Sequence, residues 1–108
     1  MQINVSGRHM NVGDALREYC EKKASKIGRF YDRIQSIDVV VDGHNGQHSV
    51  EMIVHSDGTQ PFVASEERED AFAAVDVLVD KIERQLKRHK ERLRNRKHPP
   101  QAPPATEA

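Results

Sequence analysis

A chain of 108 residues is large enough for one domain with a single modest core. Apolar residues make up 36% of it and charged residues 31%, and 17 Lys and Arg balance 17 Asp and Glu. No apolar run approaches the roughly 20 residues that cross a bilayer, which excludes a membrane-spanning helix. The single cysteine, Cys20, excludes an internal disulfide, and the first residues lack the basic and apolar stretches of a secretory signal, so we expect a cytoplasmic protein.

The first two elements differ in the period of their apolar residues. Ile3 and Val5 alternate with polar neighbours, which predicts a half-buried strand. The period then becomes helical, and we expect a helix over residues 12–29 with Asn11 as its N-cap. The apolar stripe of this helix consists of Leu16, Cys20, Ala24, Ile27 and Tyr31.

Three further strands are predicted in the middle of the chain. Residues 37–42 and 48–56 alternate between apolar and polar side chains, and residues 42–46 between them have the composition of a turn. Residues 59–65 form a shorter third strand. Pro61 has no N–H to donate to a neighbouring strand, which places this strand at a sheet edge or interrupts it there.

A long helix is predicted to end the folded part of the chain. Ser65 is its expected N-cap, because the acidic residues that follow suit a helix N-terminus. We expect residues 1–95 to form one domain and the proline-rich residues 96–108 to form a flexible tail. The apolar stripe of the helix consists of Ala71, Val75, Leu78, Ile82, Leu86, His89 and Leu93.

The predicted order β-α-β-β-β-α indicates an α+β fold of two layers. Each helix has one apolar stripe, so both helices are expected on one face of a four-stranded sheet. The α-β-β-β-α part has the order of a double-stranded RNA-binding domain, a class in which shape and phosphate contacts dominate. The expected core contains Ile3, Val5, Leu16, Ile27, Val39, Val41, Val50, Met52, Val54, Val75, Leu78, Ile82 and Leu86.

The charges of this neutral chain are separated along the sequence. Residues 38–80 carry ten acids and one cation, whereas residues 81–97 carry nine cations and two acids. At 100° per residue, the cations of the second helix flank its apolar stripe on both sides, and the first helix has a similar row. On the second helix, one flank holds Lys81, Arg84, Arg88 and Arg92, and the other holds Lys87, Lys90 and Arg94. The row of the first helix consists of Lys22, Lys26 and Arg29, and Arg33 continues it.

Such a surplus of positive charge favours a polyanionic partner, because unmatched cations repel one another. We expect RNA phosphate to meet the helix side and to be repelled by Asp38 and Asp42 on the sheet. Two other interpretations remain open. In the first, the cations form only a solvated helix face. In the second, the second helix is a basic amphipathic helix that binds a membrane surface or an acidic protein.

The sequence favours neither catalysis nor a bound metal. His44, His48 and His55 lie near one hairpin, but no cysteine accompanies them, and the last two have opposite strand parity. Cys20 lies on a buried stripe, where a small apolar residue is expected. We therefore predict a protein that is not an enzyme and has no cofactor and no small-molecule substrate. Four aromatic residues are expected in the core or at its edge rather than as stacking platforms for bases: Phe30, Tyr31, Phe62 and Phe72.

The segment DAFAAVDVLVDKIERQLKRHK, residues 70–90, resembles the second helix of the ribosome hibernation promoting factor and ribosome-associated inhibitor family. VSGRHMNVGDALREY resembles the opening strand and first helix of that family, and FYDRI matches the exit from the helix. The resemblance covers residues 1 to about 94 in unbroken order. Phe72 stands where the family more often has Tyr.

The resemblance implies a bacterial protein that binds the small ribosomal subunit and its 16S rRNA, as a monomer off the ribosome and without a membrane partner. It would cover the path of mRNA and tRNA and silence translation in non-growing cells under stress or in stationary phase. Short members favour pairing of inactive ribosomes, whereas a ribosome-associated inhibitor opposes it, and the short tail favours the first. The alternative outside the family is a double-stranded RNA-binding module without ribosome preference.

Eleven basic residues are the candidate RNA contacts. The family pattern matches Lys23, Lys26, Arg33, Lys81, Arg84, Arg88 and Lys90. Helix geometry adds Lys22, Arg29, Lys87 and Arg92.

Overall fold

The structure, a computed structural model, describes the backbone of residues 1–97 and the side chains of residues 1–94. Its elements follow the order β-α-β-β-β-α, which confirms the predicted α+β fold class. The strands are β1 (Gln2–Arg8), β2 (Ile34–His44), β3 (Gln47–Ser56) and β4 (Phe62–Arg68), and the helices are α1 (Asp14–Phe30) and α2 (Ala71–Lys97).

The four strands form one sheet in the order β1-β2-β3-β4. β1 is parallel to β2, a pairing that needs a crossover connection, and α1 provides it. The other two pairs are antiparallel. β2 and β3 are joined by Asn45 and Gly46, whose φ angles of 52° and 78° suit a tight hairpin turn. β4 lies at a sheet edge, as Pro61 just before it predicts.

Both helices cover the same face of the sheet, and the core lies between the two layers. Leu78, Ile82 and Leu86 of α2 are fully buried against the strands. On the sheet, buried residues alternate with exposed or half-buried ones, so the second face of the sheet carries polar side chains together with the half-buried Val40 and Ile53. The predicted core is confirmed throughout, with Ile3 partly buried at its margin.

The predicted N-caps are wrong for both helices. Ser65 lies in β4, because this strand stays paired with β3 past that residue. α2 begins after Asp70, whose Oδ1 accepts a hydrogen bond from the backbone N–H of Phe72 at 2.9 Å. α1 begins after Gly13 rather than after Asn11, and no side chain caps its N-terminus.

The two helices lie side by side and run in the same direction. Near the start of the pair, the ring centroids of Tyr19 and Phe72 are 5.1 Å apart. Near its end, Lys90 Nζ donates a hydrogen bond to the carbonyl oxygen of Phe30 at 3.1 Å. The C-terminal half of α2 therefore lies beside the C-terminal end of α1.

The end of α2 lies slightly beyond the predicted domain boundary. The helix continues to Lys97, two residues past the predicted limit at residue 95. Residues 98–108, which hold most of the predicted tail, lie outside the described residues.

Candidate nucleic-acid interface

The parallel arrangement of α1 and α2 brings the basic ends of both helices together. The negative end of a helix dipole lies at the C-terminus, where it stabilises nearby cations. Arg29 lies in the last turn of α1, and residues 84–94 of α2 carry most of its cations. The fold therefore gathers positive charge at one end of the helical layer.

Cations of the first helix face acids of the second in the groove between them. Lys23 Nζ lies 3.6 Å from Asp76 Oδ1, and Lys26 lines the same groove opposite Asp80 and Glu83. Tyr19 donates its hydroxyl hydrogen to Asp76 Oδ1 at 2.6 Å, and this hydrogen bond raises the pKa of the tyrosine. One candidate cation of α1, Lys23, is thus paired within the protein, whereas Lys26 lies in the same groove without an ion pair to another described residue.

Lys81 is also engaged by its own fold. Its Nζ donates to the carbonyl oxygen of Ser65 and to Glu66 Oε1, each at 2.9 Å. Hydrogen bonds from Lys81 and then from Arg68 hold the pKa of the Glu66 carboxyl below its ordinary value. Gln85 Nε2 donates to the carbonyl oxygen of Val63 at 3.0 Å, so two side chains of α2 satisfy carbonyls of the edge strand β4.

Arg84 and Arg88 line a groove of about 420 Å³ between α2 and β4, together with Lys81. Both arginines are exposed. Neither forms an ion pair with another residue in the part of the chain whose side chains are described, and the same holds for Arg92. A guanidinium group presents a planar fork of donors, which suits it to bind phosphate.

Lys87 and Lys90 lie on the other flank of α2, beside the end of α1. Lys87 lines a cavity of about 320 Å³ with Phe30, Arg84 and two acids. Lys90 Nζ lies 4.8 Å from the centre of the Phe30 ring, a cation–π contact. Arg84 lines both this cavity and the β4 groove, so the two grooves meet on the outer surface of α2.

The remaining candidates lie on α1 and just after it. Lys22, Arg29 and Arg33 are exposed, and none of them is ion-paired within the described side chains. All eleven candidate residues therefore belong to the helical layer or to the loop that leaves it. The structure divides them into two engaged lysines, Lys23 and Lys81, and nine that make no ion pair with another described residue.

The opposite face of the sheet is acidic. Asp38 accepts a hydrogen bond from Asn4 at 3.0 Å and contacts His55 at 3.1 Å. Asp42 contacts His9 at 3.1 Å. Strand alternation puts these two aspartates on the face away from the helices, as the sequence predicts.

The described residues offer little for catalysis. Cys20 is fully buried, and burial raises the pKa of its thiol to about 11, which keeps it protonated and unreactive. Residues 1–97 contain no group of three histidine, cysteine or acidic side chains placed to hold a metal ion. No helix within that range is long and apolar enough to cross a membrane.

The prediction for the aromatic residues is only partly right. Tyr31 and Phe62 are buried, as expected, but Phe30 and Phe72 keep 37% and 39% of their surface exposed. Both fall at the edge of a helical apolar stripe, where periodicity does not distinguish a buried side chain from an exposed one. The partners of Lys23 and Lys81 were missed for another reason: they lie far away in sequence.

Fold and surface together define a class of protein: a two-layer domain with a basic helical face and an acidic sheet face. The chain belongs to the Sigma 54 modulation protein / S30EA ribosomal protein family, whose model matches residues 3–94. The family predicted from residues 70–90 is thereby confirmed.

Named relatives and solved structures agree with this membership. The chain is 44% identical over 92 residues to the ribosome hibernation promoting factor of Azotobacter vinelandii, covering 85% of each chain. It is 36% identical over 94 residues to the protein of that name from Escherichia coli K12, covering 87% of this chain and 98% of the other.

Two solved structures have the same fold. A ribosomal subunit interface protein from Coxiella burnetii matches with a TM-score of 0.78 at 31% identity, over 84% of this chain and 99% of the other. The N-terminal domain of Protein Y from Thermus thermophilus matches with a TM-score of 0.73 at 33% identity, over 82% and 99%.

Proposed function

We propose that this chain is a ribosome hibernation factor, which binds the small ribosomal subunit through rRNA phosphates and silences translation in non-growing cells. The observation that carries the proposal is the exposed run of Arg84, Lys87, Arg88 and Arg92, which make no ion pair with another described residue. Such a run repels itself unless a polyanion supplies the missing charge. The relatives named ribosome hibernation promoting factor support the ribosome as the source of that polyanion.

The proposed mode of action is occupancy, with no chemical step and no cofactor. The helical layer lies on 16S rRNA, and the acidic sheet face points away from phosphate. The folded bulk then blocks the path of mRNA and tRNA. The proposed RNA contacts are Lys22, Lys23, Lys26, Arg29, Arg33, Lys81, Arg84, Lys87, Arg88, Lys90 and Arg92.

Three further properties belong to the same proposal. The protein acts in the cytoplasm, is a monomer off the ribosome, and favours pairing of inactive ribosomes. Residues 1–95 carry the binding activity, and residues 96–108 are not needed for it. The relatives named ribosome hibernation promoting factor support these properties, and so does the placement of all eleven candidate residues before residue 95.

Co-sedimentation tests the proposal directly. The purified chain is mixed with small ribosomal subunits, with large subunits, with naked duplex RNA and with anionic lipid vesicles, each over a series of salt concentrations. We expect saturable binding to small subunits that persists at salt concentrations where binding to duplex RNA is lost. The reason is that a site of complementary shape adds contacts that do not depend on phosphate charge. Equal affinity for duplex RNA and for subunits would overturn ribosome specificity in favour of a general RNA-binding module.

Sucrose gradients address the effect on ribosome pairing. Purified ribosomes incubated with the chain should shift toward paired particles and should lose activity in a translation assay. A loss of pairs together with lost translation would instead support an inhibitor that opposes pairing. Normal translation with the chain bound at saturation would contradict the silencing function itself.

A further inference from the structure

We infer that Phe30 and the cavity beside it form a site for an unpaired nucleobase within the basic helical face. This inference deepens the proposed function and rests on it for the identity of the RNA. The ligand class is a single-stranded stretch of RNA, whose base stacks on the Phe30 ring while its phosphates contact Arg84 and Lys87. The structure supports the site with three independent observations.

The first observation is the exposure of the ring itself. Phe30 keeps 37% of its surface exposed at the end of α1, although the next residue, Tyr31, is buried in the core. An exposed aromatic ring is less favourable than a buried one, because its apolar surface stays in contact with water. A flat ring at the surface of an RNA-binding face is suited to stacking, because every base has an aromatic face.

The second observation is the charge around the ring. Lys90 Nζ lies over one face of the ring, 4.8 Å from its centre, and donates a hydrogen bond to the Phe30 carbonyl oxygen, so the base is expected on the face that borders the cavity. Arg84 and Lys87 line the cavity of about 320 Å³ that the ring borders. The cavity therefore combines an apolar surface with cations at its rim, which is the pairing that proteins use to bind single-stranded nucleic acid.

The third observation is a pair of carboxylates in the same cavity. Asp80 and Glu83 line it beside Phe30, and neither forms an ion pair with another described side chain. A carboxylate repels phosphate, but it accepts hydrogen bonds from the amino groups of bases, as in its pairing with cytosine N4. The cavity is therefore expected to prefer cytosine over uracil, which offers no amino group.

Phe72 provides a matched comparison within the same chain. It has almost the same exposure, 39%, and also lies on the helical layer. Its ring contacts Tyr19 edge-on at a centroid distance of 5.1 Å, and the lysine over the Tyr19 ring, Lys23, is ion-paired with Asp76 at 3.6 Å. Phe72 thus has the exposed ring, but the lysine in its neighbourhood is already paired with a carboxylate.

Fluorescence provides the test, because the chain contains no tryptophan. Phe30→Trp and Phe72→Trp each introduce one reporter, and each is titrated with a ten-nucleotide oligocytidylate and with inorganic polyphosphate, which has charge but no bases. Saturation is followed separately by a sedimentation assay. We expect the oligonucleotide to quench the tryptophan at position 30 and polyphosphate to leave it unchanged. The tryptophan at position 72 should respond to neither ligand.

Affinity provides the second measurement. Phe30→Leu keeps the apolar bulk and removes the aromatic face, so it should weaken oligocytidylate binding about 5- to 150-fold, the range typical of one stacked base. The dependence of binding on salt should not change, because no cation is removed. Phe72→Leu should bind like the parent chain, and oligocytidylate should bind more tightly than oligouridylate.

Three outcomes would overturn the site. They are an unquenched tryptophan at position 30 with saturating RNA, equal quenching by polyphosphate, or equal losses in Phe30→Leu and Phe72→Leu. Equal affinity for the two oligonucleotides would overturn the role given to Asp80 and Glu83. The proposed function fails separately, since it predicts binding to small ribosomal subunits whether or not the reporter at position 30 is quenched.

Discussion

The two halves of α2 differ in what they bury and in the charge that they carry. In residues 71–82 the buried side chains recur through every turn, and Leu78 and Ile82 are completely covered. In residues 83–94 only Leu86 is completely covered, and Leu93 is half-buried. The second half instead carries the cations that make no ion pair within the described residues.

This difference separates stability from binding along a single helix. Packing of the first half holds α2 on the sheet. The second half extends beyond most of the core, and residues of high helix propensity, such as Arg, Lys, Leu and Gln, keep it helical. The self-repulsion of its cations is weakened by water and salt, because these side chains are exposed. Substitutions in the two halves should therefore affect different measurements.

The largest expected effect is on the free energy of unfolding. Leu78→Ala removes a completely buried side chain between α2 and the sheet, and should lower the free energy of unfolding by about 2–5 kcal/mol. The matched control, Leu93→Ala in the second half, truncates a half-buried side chain and should cost about 1 kcal/mol. Urea denaturation followed by circular dichroism measures both. Similar losses in the two variants would show that the halves contribute equally to the core.

The second prediction concerns the unpaired arginines of the second half. Replacing Arg84, Arg88 and Arg92 together with Gln should weaken binding to small subunits by about two orders of magnitude near 0.1 M salt. The slope of log affinity against log salt should decrease by about 2–3, since three phosphate contacts are lost. Gln retains high helix propensity, so the unfolding curve should change little.

Binding measured at four or more salt concentrations checks this slope. An unchanged slope in the triple variant would mean that these arginines are only a solvated helix face. A reduced slope accompanied by a large loss of stability would contradict the assignment of the second half to binding alone.

The third prediction compares an engaged cation with an unpaired one on the same flank. Lys81 already donates to Ser65 and Glu66, whereas Arg84 has no ion pair among the described residues. Lys81→Gln should therefore reduce affinity by less than about threefold, and Arg84→Gln should reduce it more. Glu66→Gln releases Lys81 from its charged partner and should strengthen binding slightly. Equal losses for Lys81→Gln and Arg84→Gln would show that the internal ion pair opens when RNA binds.

Much of this fold could be predicted from periodicity. Alternation in β2 and β3 and the helical spacing in α2 each reflect burial on one side, so the core residues followed from pattern alone. The N-cap of α2 could not be predicted in the same way. Ser65 and the acids after it suit a helix start, but pairing with β3 keeps them in a strand, and local propensity has no information about that pairing.

The candidate site shows the same limit. A helical wheel was enough to place the cations on the two flanks of α2. It could not tell which of them the protein itself neutralises, because Lys23 meets Asp76 and Lys81 meets Glu66 only after the chain has folded. Nor could it predict that Phe30 stays exposed, which depends on how closely α2 approaches the end of α1.

The smallest expected effect on binding comes from substitutions on the opposite face of the sheet. These substitutions serve as a control for those in α2. Asp38→Asn and Asp42→Asn together remove two negative charges, whereas the triple arginine variant removes three positive ones. The two aspartates lie on a face that is not expected to touch RNA. Affinity for small subunits should stay within about twofold of the parent, and any change should be a slight gain, because a screened repulsion is removed. Asparagine can still accept the hydrogen bonds from Asn4 and the histidines, so the sheet should keep its stability. A loss of binding similar to that of the triple arginine variant would place RNA on the sheet face and contradict the assignment of binding to α2.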